Sequence, residues 1–237
     1  MGRAFEYRKA RMFKRWDAMS KAFTRFGKEI SIAVRQGGGE PETNPRLRAV
    51  IQNAKGANMP KDKIEAAIKR ASAKDEKDFQ EVVYEGYGPH GIAIVVETAA
   101  DNPTRTVSNV RLYFNRGGGT LGTTGSLDFL FDRKGVFRFS AEGQNRDDLE
   151  LELIDHGADE ITQEHDEIYV YTRFSDFGEM QKALEEKGIQ VISAELQRIP
   201  HNTIDLTDEQ AEDIIALIEK FEDDDDVQAV YHNMNMK

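Results

Sequence analysis

Residues 101–126 hold the densest run of groups whose type and spacing could do chemistry. Asp101-Asn102-Pro103-Thr104-Arg105-Thr106 leads through Val107, Val110, Arg111 and Phe114 into Arg116-Gly117-Gly118-Gly119-Thr120-Leu121-Gly122-Thr123-Thr124-Gly125-Ser126. The glycines at 119, 122 and 125 have the look of a phosphate cradle. A dinucleotide-binding loop, however, follows a strand and opens a helix, whereas this one follows a helix and opens a strand. The Rossmann reading is rejected on that order. A tight helix-to-strand turn is expected instead, with a backbone-lined contact surface for a partner as the alternative.

Catalytic chemistry finds little else to use. His90, His156, His165, His201 and His232 show no close pairing and no H-E-x-x-H spacing, so each reads as a surface or loop histidine. Glu222 to Asp226 lacks the alternating ligands of a calcium loop and reads as a solvated helix end. Paired carboxylates abound in residues 142–226, but an acidic surface generates them by chance. The absence of cysteine excludes disulfides, thiolate zinc sites and a cysteine nucleophile. No nucleophile elbow, P-loop or kinase signature is present. A non-enzymatic protein without cofactor or metal is the expectation.

Charge gives the positive signal. Of 237 residues carrying a net −11, residues 1–79 hold 19 Lys+Arg against 10 Asp+Glu, or +9, and residues 80–237 hold 13 against 33, or −20. A basic module facing phosphates and an acidic body that repels them is the arrangement this implies. The candidate phosphate contacts are Arg8, Lys9, Arg11, Lys14, Arg15, Lys21, Arg25, Lys28, Arg35, Arg46, Arg48, Lys55, Lys69 and Arg70, with Arg105, Arg111 and Arg116 extending the track. DNA or RNA is the expected partner. Acidic domains docking a basic protein, as in a scaffold, are the rival, and basic ends resting on the acidic bodies of other copies a further one. No apolar run approaches the roughly eighteen residues that span a bilayer, and the start is charged rather than apolar. A cytoplasmic protein without membrane attachment is expected.

Helices must position these groups. Met12, Trp16, Met19, Phe23, Phe26 and Ile30 form one apolar seam along a helix over residues 1–36, in which Gly27 marks a break or a close helix contact. Asn44 and Pro45 start a second helix that buries Leu47, Val50, Ile51 and Ala54 and presents Arg46, Arg48, Asn53 and Lys55. Pro60 starts a third, with Ile64, Ala67, Ile68 and Ala71 inward and Lys61, Lys69 and Arg70 outward. The three make a small bundle of the kind that can carry a helix-turn-helix-like reader. Lys74 to Asp78 is a charged linker.

Beyond it, Val82–Gly88 and Ile92–Glu97 read as strands joined by a Gly-Pro-His-Gly turn. Asn102 and Pro103 then open a helix, and Leu127, Phe129 and Phe131 alternate as a strand, giving ββαβ to residue 131. Next come a strand at Val136–Phe139, a helix at Asp147–His156 burying Leu149, Leu153 and Ile154, and strands at Ile161 and at Ile168–Val170. A helix at Phe177–Leu184 and a strand at Ile192–Ile199 complete the order βαββαβ of a ferredoxin-like fold. Thr207 to Gln210 starts a last helix carrying Ala211, Ile214, Ile215 and Ile218, and Val227–Tyr231 is a final strand. The fold class is therefore α+β and multidomain, an N-terminal three-helix bundle followed by two α+β domains.

The string Asp101-Asn102-x-x-Arg105-Thr106, then Val110-Arg111-x-x-Phe114, then Gly118-Gly119-x-Leu121-Gly122-x-x-Gly125-Ser126 resembles the YebC/PmpR family. So do Gly27-Lys28-Glu29-Ile30, Gln36-Gly37-Gly38-Gly39, Asn44-Pro45-Arg46-Leu47-Arg48, Asn58-Met59-Pro60-Lys61-Asp62 and Tyr84-Glu85-Gly86-Tyr87-Gly88-Pro89. The matches run in register over residues 27–137. Family members commonly begin Gly-His-Ser-Lys-Trp, and this chain departs from that with Gly2-Arg3-Ala4-Phe5-Glu6. Nine basic and two acidic residues in the first 28 resemble a transit peptide in composition, but the match begins within them, which favours a folded element. The resemblance implies a probable DNA-binding transcriptional regulator, with relatives that act in translation in association with ribosomes. It also implies that a ferredoxin-like unit, residues 133–204, is inserted into a middle domain of residues 80–132 plus 205–237, after a bundle of residues 1–79.

Overall fold

The seam of aromatic and aliphatic residues at the start of the chain holds a single helix, α1 (Arg3–Gly37). In the computed structural model, residues 3–73 and 78–235 are described, with side chains from residue 19 onward. The side chains of Met12 and Trp16 and the linker residues 74–77 lie outside that set. The chain divides into two units, Met1–Phe79 and Gln80–Lys237.

In the first unit Phe23, Phe26 and Ile30 of the seam pack into a core that Ala33 and Val34 continue. Helix α2 (Pro45–Gly56) supplies Leu47, Val50 and Ala54, and α3 (Lys61–Ala71) supplies Ile64, Ala67 and Ala71. Asn44 clasps the joint between α1 and α2. Its Oδ1 accepts the Leu47 N–H at 3.1 Å while its Nδ2 donates to the Ala33 and Gly38 carbonyls at 2.8 Å each. A Cβ on Gly37 would come within 2.8 Å of that amide, so glycine is required there. Two expectations need correction. Asn53 is buried rather than presented, because it stands next to Ala54 and about one turn from Val50, both core residues. At Gly27 there is neither a break nor a close contact, since α1 runs through it and a Cβ would meet nothing outside its own turn within 4 Å.

The second unit carries two antiparallel four-stranded sheets. In the first, β1 (Gln80–Tyr87) pairs with β2 (Ala93–Ala100) and with β3 (Thr120–Leu121), and β2 pairs with β8 (Val227–His232) from the far end of the chain. The helices α4 (Pro103–Arg116) and α7 (Asp208–Glu222) pack over this sheet through Val110, Phe114, Ile214, Leu217 and Phe221. Phe114 and Phe221 meet edge to face with centroids 4.9 Å apart. Ala93 and Val95 point the other way, onto Leu127 and Phe131. Strand β2 is thus buried on both faces, which explains the apolar run Ala93–Val96 at its start.

The second sheet has the order β5-β6-β4-β7. Its strands are β4 (Phe131–Ser140), β5 (Ala158–Glu164), β6 (Glu167–Arg173) and β7 (Val191–Pro200), with α5 (Arg146–Leu153) and α6 (Phe177–Glu186) between them in sequence. Phe137, Phe139, Leu153, Val170, Met180 and Leu184 fill the space between sheet and helices. The strand expected over Leu127–Phe131 does not form. Leu127 ends a turn, Asp128–Leu130 is a short 3-10 helix with Phe129 70 % exposed, and the strand begins at Phe131 as part of the second sheet. The expected helix over Asp147–His156 tightens into a 3-10 turn at Ile154, which leaves Ile154 exposed. In α7 the buried residues are Ile214, Leu217 and Phe221, and Ile215 faces solvent.

Candidate nucleic-acid interface

The first unit carries six of the expected phosphate contacts on exposed helix surface among the described residues. Arg8, Lys9, Arg11, Lys14 and Arg15 lie on α1, but their side chains fall outside the described residues. Further along that helix Lys21, Arg25 and Lys28 are half-buried, and Arg35 is exposed. Helix α2 exposes Arg46, Arg48 and Lys55, and α3 exposes Lys69 and Arg70 at its C-terminal turn. Arg46 donates to Gln36 Oε1 at 2.8 Å. Among the described residues Arg48, Lys55, Lys69 and Arg70 have no carboxylate partner within ion-pair distance, so their charge faces water.

Lys63 was missed by sequence reasoning. Its Nζ sits 5.2 Å from the Phe23 ring centroid, and Lys28 Nζ sits 5.3 Å from that of Phe79. Nothing in the pattern of α3 distinguishes Lys63 from Lys61, which pairs with Glu65 at 3.6 Å along its own helix. Only the approach of α1 to α3 does so.

The glycine loop after α4 is occupied by its own protein. Gly117 caps α4, Gly118 takes φ +74°, and a Cβ on Gly86 would come within 2.5 Å of the Thr120 carbonyl oxygen. Backbone therefore packs on backbone where β3 joins β1. Glu85, 2 % exposed, accepts the Gly125 N–H at 3.0 Å and the Leu127 N–H at 2.6 Å with its carboxylate. Its own carbonyl accepts the Gly122 N–H at 2.7 Å. A carboxylate fills the place a phosphate would need, and the tight-turn reading follows.

The acidic run after α7 also works internally. Asp226, 4 % exposed, accepts from Arg105 at 2.7 Å and from the Thr106 hydroxyl at 2.8 Å. Asp224 accepts from Asn109 Nδ2 at 3.1 Å and from the Tyr113 hydroxyl at 3.0 Å. The run is not simply a solvated helix end, because Arg105, Thr106, Asn109 and Tyr113 of α4 are spent on it. Arg105, also paired with Asp101 at 2.8 Å, is an anchor between elements. Arg111 and Arg116 on the same helix are exposed and carry no ion pair among the described residues. His232 also departs from expectation, since it lies in β8 and burial lowers its imidazole pKa. Among the described residues no cluster of histidine and carboxylate groups could hold a metal ion, and no helix is long and apolar enough to cross a membrane.

Residues 3–74 match the TACO1/YebC protein N-terminal domain, and residues 79–234 match the TACO1/YebC second and third domain. The chain belongs to the TACO1/YebC family. Its similar relatives include a protein of Cytophaga hutchinsonii, 64% identical over 99% of this chain and 98% of that one, and a protein of Parabacteroides distasonis, 58% identical over 99% and 97%. Both bear the name "Probable transcriptional regulatory protein". A crystal structure of a conserved hypothetical protein from Aquifex aeolicus matches with a TM-score of 0.80 and 37% identity, over 91% of this chain and 90% of that one. The two TACO1/YebC segments end at residue 74 and begin at residue 79, within a few residues of where the chain divides between Phe79 and Gln80. The divergent first residues do not set the chain apart, since the match to the TACO1/YebC N-terminal domain begins at Arg3.

Proposed function

We propose that this chain is a non-enzymatic regulator of gene expression that binds nucleic acid, as a DNA-binding transcriptional regulator, through the helical unit of residues 1–79. The observation that carries the proposal is the solvated cation set of α1, α2 and α3 on a unit of charge +9, joined to a segment of −20. The names of the relatives point the same way. Arg35, Arg46, Arg48, Lys55, Lys69 and Arg70 are the contacts we assign first, with Arg111 and Arg116 as additions from α4. Arg105 is left out because Asp226 and Asp101 hold it. Phosphate contact, rather than base readout, is the ordinary role of such side chains.

The domain division belongs to the same proposal. Strand order β5-β6-β4-β7 with α5 and α6 interleaved supports a ferredoxin-like unit over residues 133–204. The pairing of β8 with β2 supports its insertion into a domain made of residues 80–132 and 205–237.

If six to ten phosphates are engaged, affinity falls about 10³- to 10⁵-fold between 50 and 200 mM salt. Replacing the six residues assigned first by glutamine, with helicity by circular dichroism unchanged, abolishes that binding. Unchanged binding by the folded variant overturns the proposal. Crosslinking in cells followed by sequencing then names the polymer. Recovered DNA places the protein in transcription, and recovered ribosomal RNA moves it to translation.

A further inference from the structure

A groove of about 690 Å³ runs between α1 and α3 in the first unit. Its walls bring together Phe23, Phe79, Lys28, Lys63 and Arg70. Each lysine sits over a ring face, and among the described residues that line the groove none is acidic, in a chain with 43 Asp and Glu. Volume, apolar walls and a few convergent polar groups match what small-ligand sites require.

Two features of the wall are costly to the fold and unexplained by it. Gly27 stands in the interior of a helix, where glycine is less favourable than alanine, yet among the described residues no neighbouring element comes close enough to exclude a Cβ. What it does is keep the groove open. Ser31, also in the wall, is 3 % exposed and its hydroxyl has no hydrogen-bond partner among the described residues. Buried polar groups are ordinarily satisfied, so this hydroxyl is a donor and acceptor held in reserve.

We propose that the groove receives an unpaired nucleotide of a single-stranded nucleic acid. Lys28 and Lys63 swing off the ring faces of Phe79 and Phe23 to take the flanking phosphates with Arg70, and the base takes their place against the rings with its edge toward Ser31. Aromatic faces beside cations are how single strands are held without strong sequence preference. A duplex keeps its bases stacked and offers the groove nothing but phosphate. The inference rests on the proposed function and narrows it from any phosphate polymer to one with unpaired bases.

The test uses the full chain and three fluorescent probes read by anisotropy: a single-stranded thymidine oligonucleotide, an abasic strand with the same number of phosphates, and a duplex of equal length. Stacking of one base is worth about 5- to 150-fold in affinity. The thymidine strand is expected to bind tighter than the abasic strand by a factor in that range. Gly27→Leu plugs the groove while raising helix propensity, and Ala66→Leu plugs it independently from the exposed face of α3. Each erases the preference and leaves the salt-dependent binding of the abasic strand. Equal binding of thymidine and abasic strands by the unaltered protein overturns the groove proposal and leaves the phosphate-docking reading standing. A preference for thymidine that survives both plugs in folded protein also overturns it. A duplex bound tighter than the thymidine strand does the same. Failure to bind any probe removes both readings.

Discussion

Two buried carboxylates, Glu85 and Asp226, determine more of the second unit than any of its exposed charges. Glu85 holds the loop of residues 122–127 by accepting two N–H groups, and this capture turns Leu127 and Phe129 out of the strand that their alternation suggests. The partners are 40 and 42 residues away, so no local pattern announces them. Caps, by contrast, are legible because the bond is local. Asn44, Asn102 and Thr207 each accept an N–H three residues on, as their types and positions lead one to expect. Glu85→Gln replaces an acceptor by an amide that faces one N–H with another. It should cost about 1–3 kcal/mol, read as a lowered urea midpoint with faster amide exchange over residues 122–127. His232 gives a pH test. Burial pushes its imidazole below the ordinary value, partly opposed by a backbone hydrogen bond at Met234. The unfolded chain then takes up the proton more readily than the fold. This contribution to stability is complete above the unfolded pKa near 6.5 and is lost as pH falls through and below it. His232→Gln should flatten that part of the thermal-melting profile, and an unchanged slope would refute the assignment.

At the scale of elements, α4 and the turn after α7 form a clasp that closes the first sheet around its late strand. Thr106, Asn109 and Tyr113 recur on one side of α4 and reach Asp226 and Asp224, while Val110 and Phe114 on the next side meet Phe221. The helices themselves were legible from period and caps. Their mutual register was not, because Ile215 and Leu217 are equally apolar and only packing against Phe114 and the sheet decides which is buried. The Tyr113 phenol reports the clasp directly. Burial first, then the hydrogen bond to Asp224 and the charges of Asp224, Asp226 and Asp223, push it up to about 12. The fold thus favours the neutral phenol more than the unfolded chain does. That contribution is whole below the ordinary value of about 10 and drains away as pH rises from there toward 12. In the difference between ultraviolet titrations of the unaltered protein and Tyr113→Phe, the missing transition should lie near the raised value. A transition at the ordinary tyrosine pKa would mean that the clasp is open in solution. Asp224→Asn should move it downward.

At the scale of the whole molecule the charge is divided as sharply as the fold. The division at Phe79 is also where the sign changes, from +9 before it to −20 after it. This polarity was legible from counting alone, whereas the groove between α1 and α3 was not, since Gly27, Ser31 and Lys63 acquire meaning only when two helices meet. A large like charge on the same chain opposes the approach of a polyanion and does so over roughly a Debye length, about 10 Å at 0.1 M salt and 30 Å at 0.01 M. Under the proposed function the acidic segment weakens every encounter with nucleic acid and leaves binding to the contacts that the basic unit makes at close range. Glu142, Glu160, Glu185, Glu209, Glu212 and Glu219 are exposed and hold no ion pair among the described residues. Replacing these six by glutamine takes the segment from −20 to −14 without disturbing a core. Association with a single-stranded probe, followed by stopped-flow anisotropy, should accelerate severalfold at low salt, and the gain should vanish above roughly 0.3 M, where charges are screened within a few ångströms. Dissociation should change little, because none of the six is assigned a place at the interface. An acceleration that persists at high salt, or a slower dissociation, would show these carboxylates acting by contact, and the acidic segment would have to be counted as part of the binding surface.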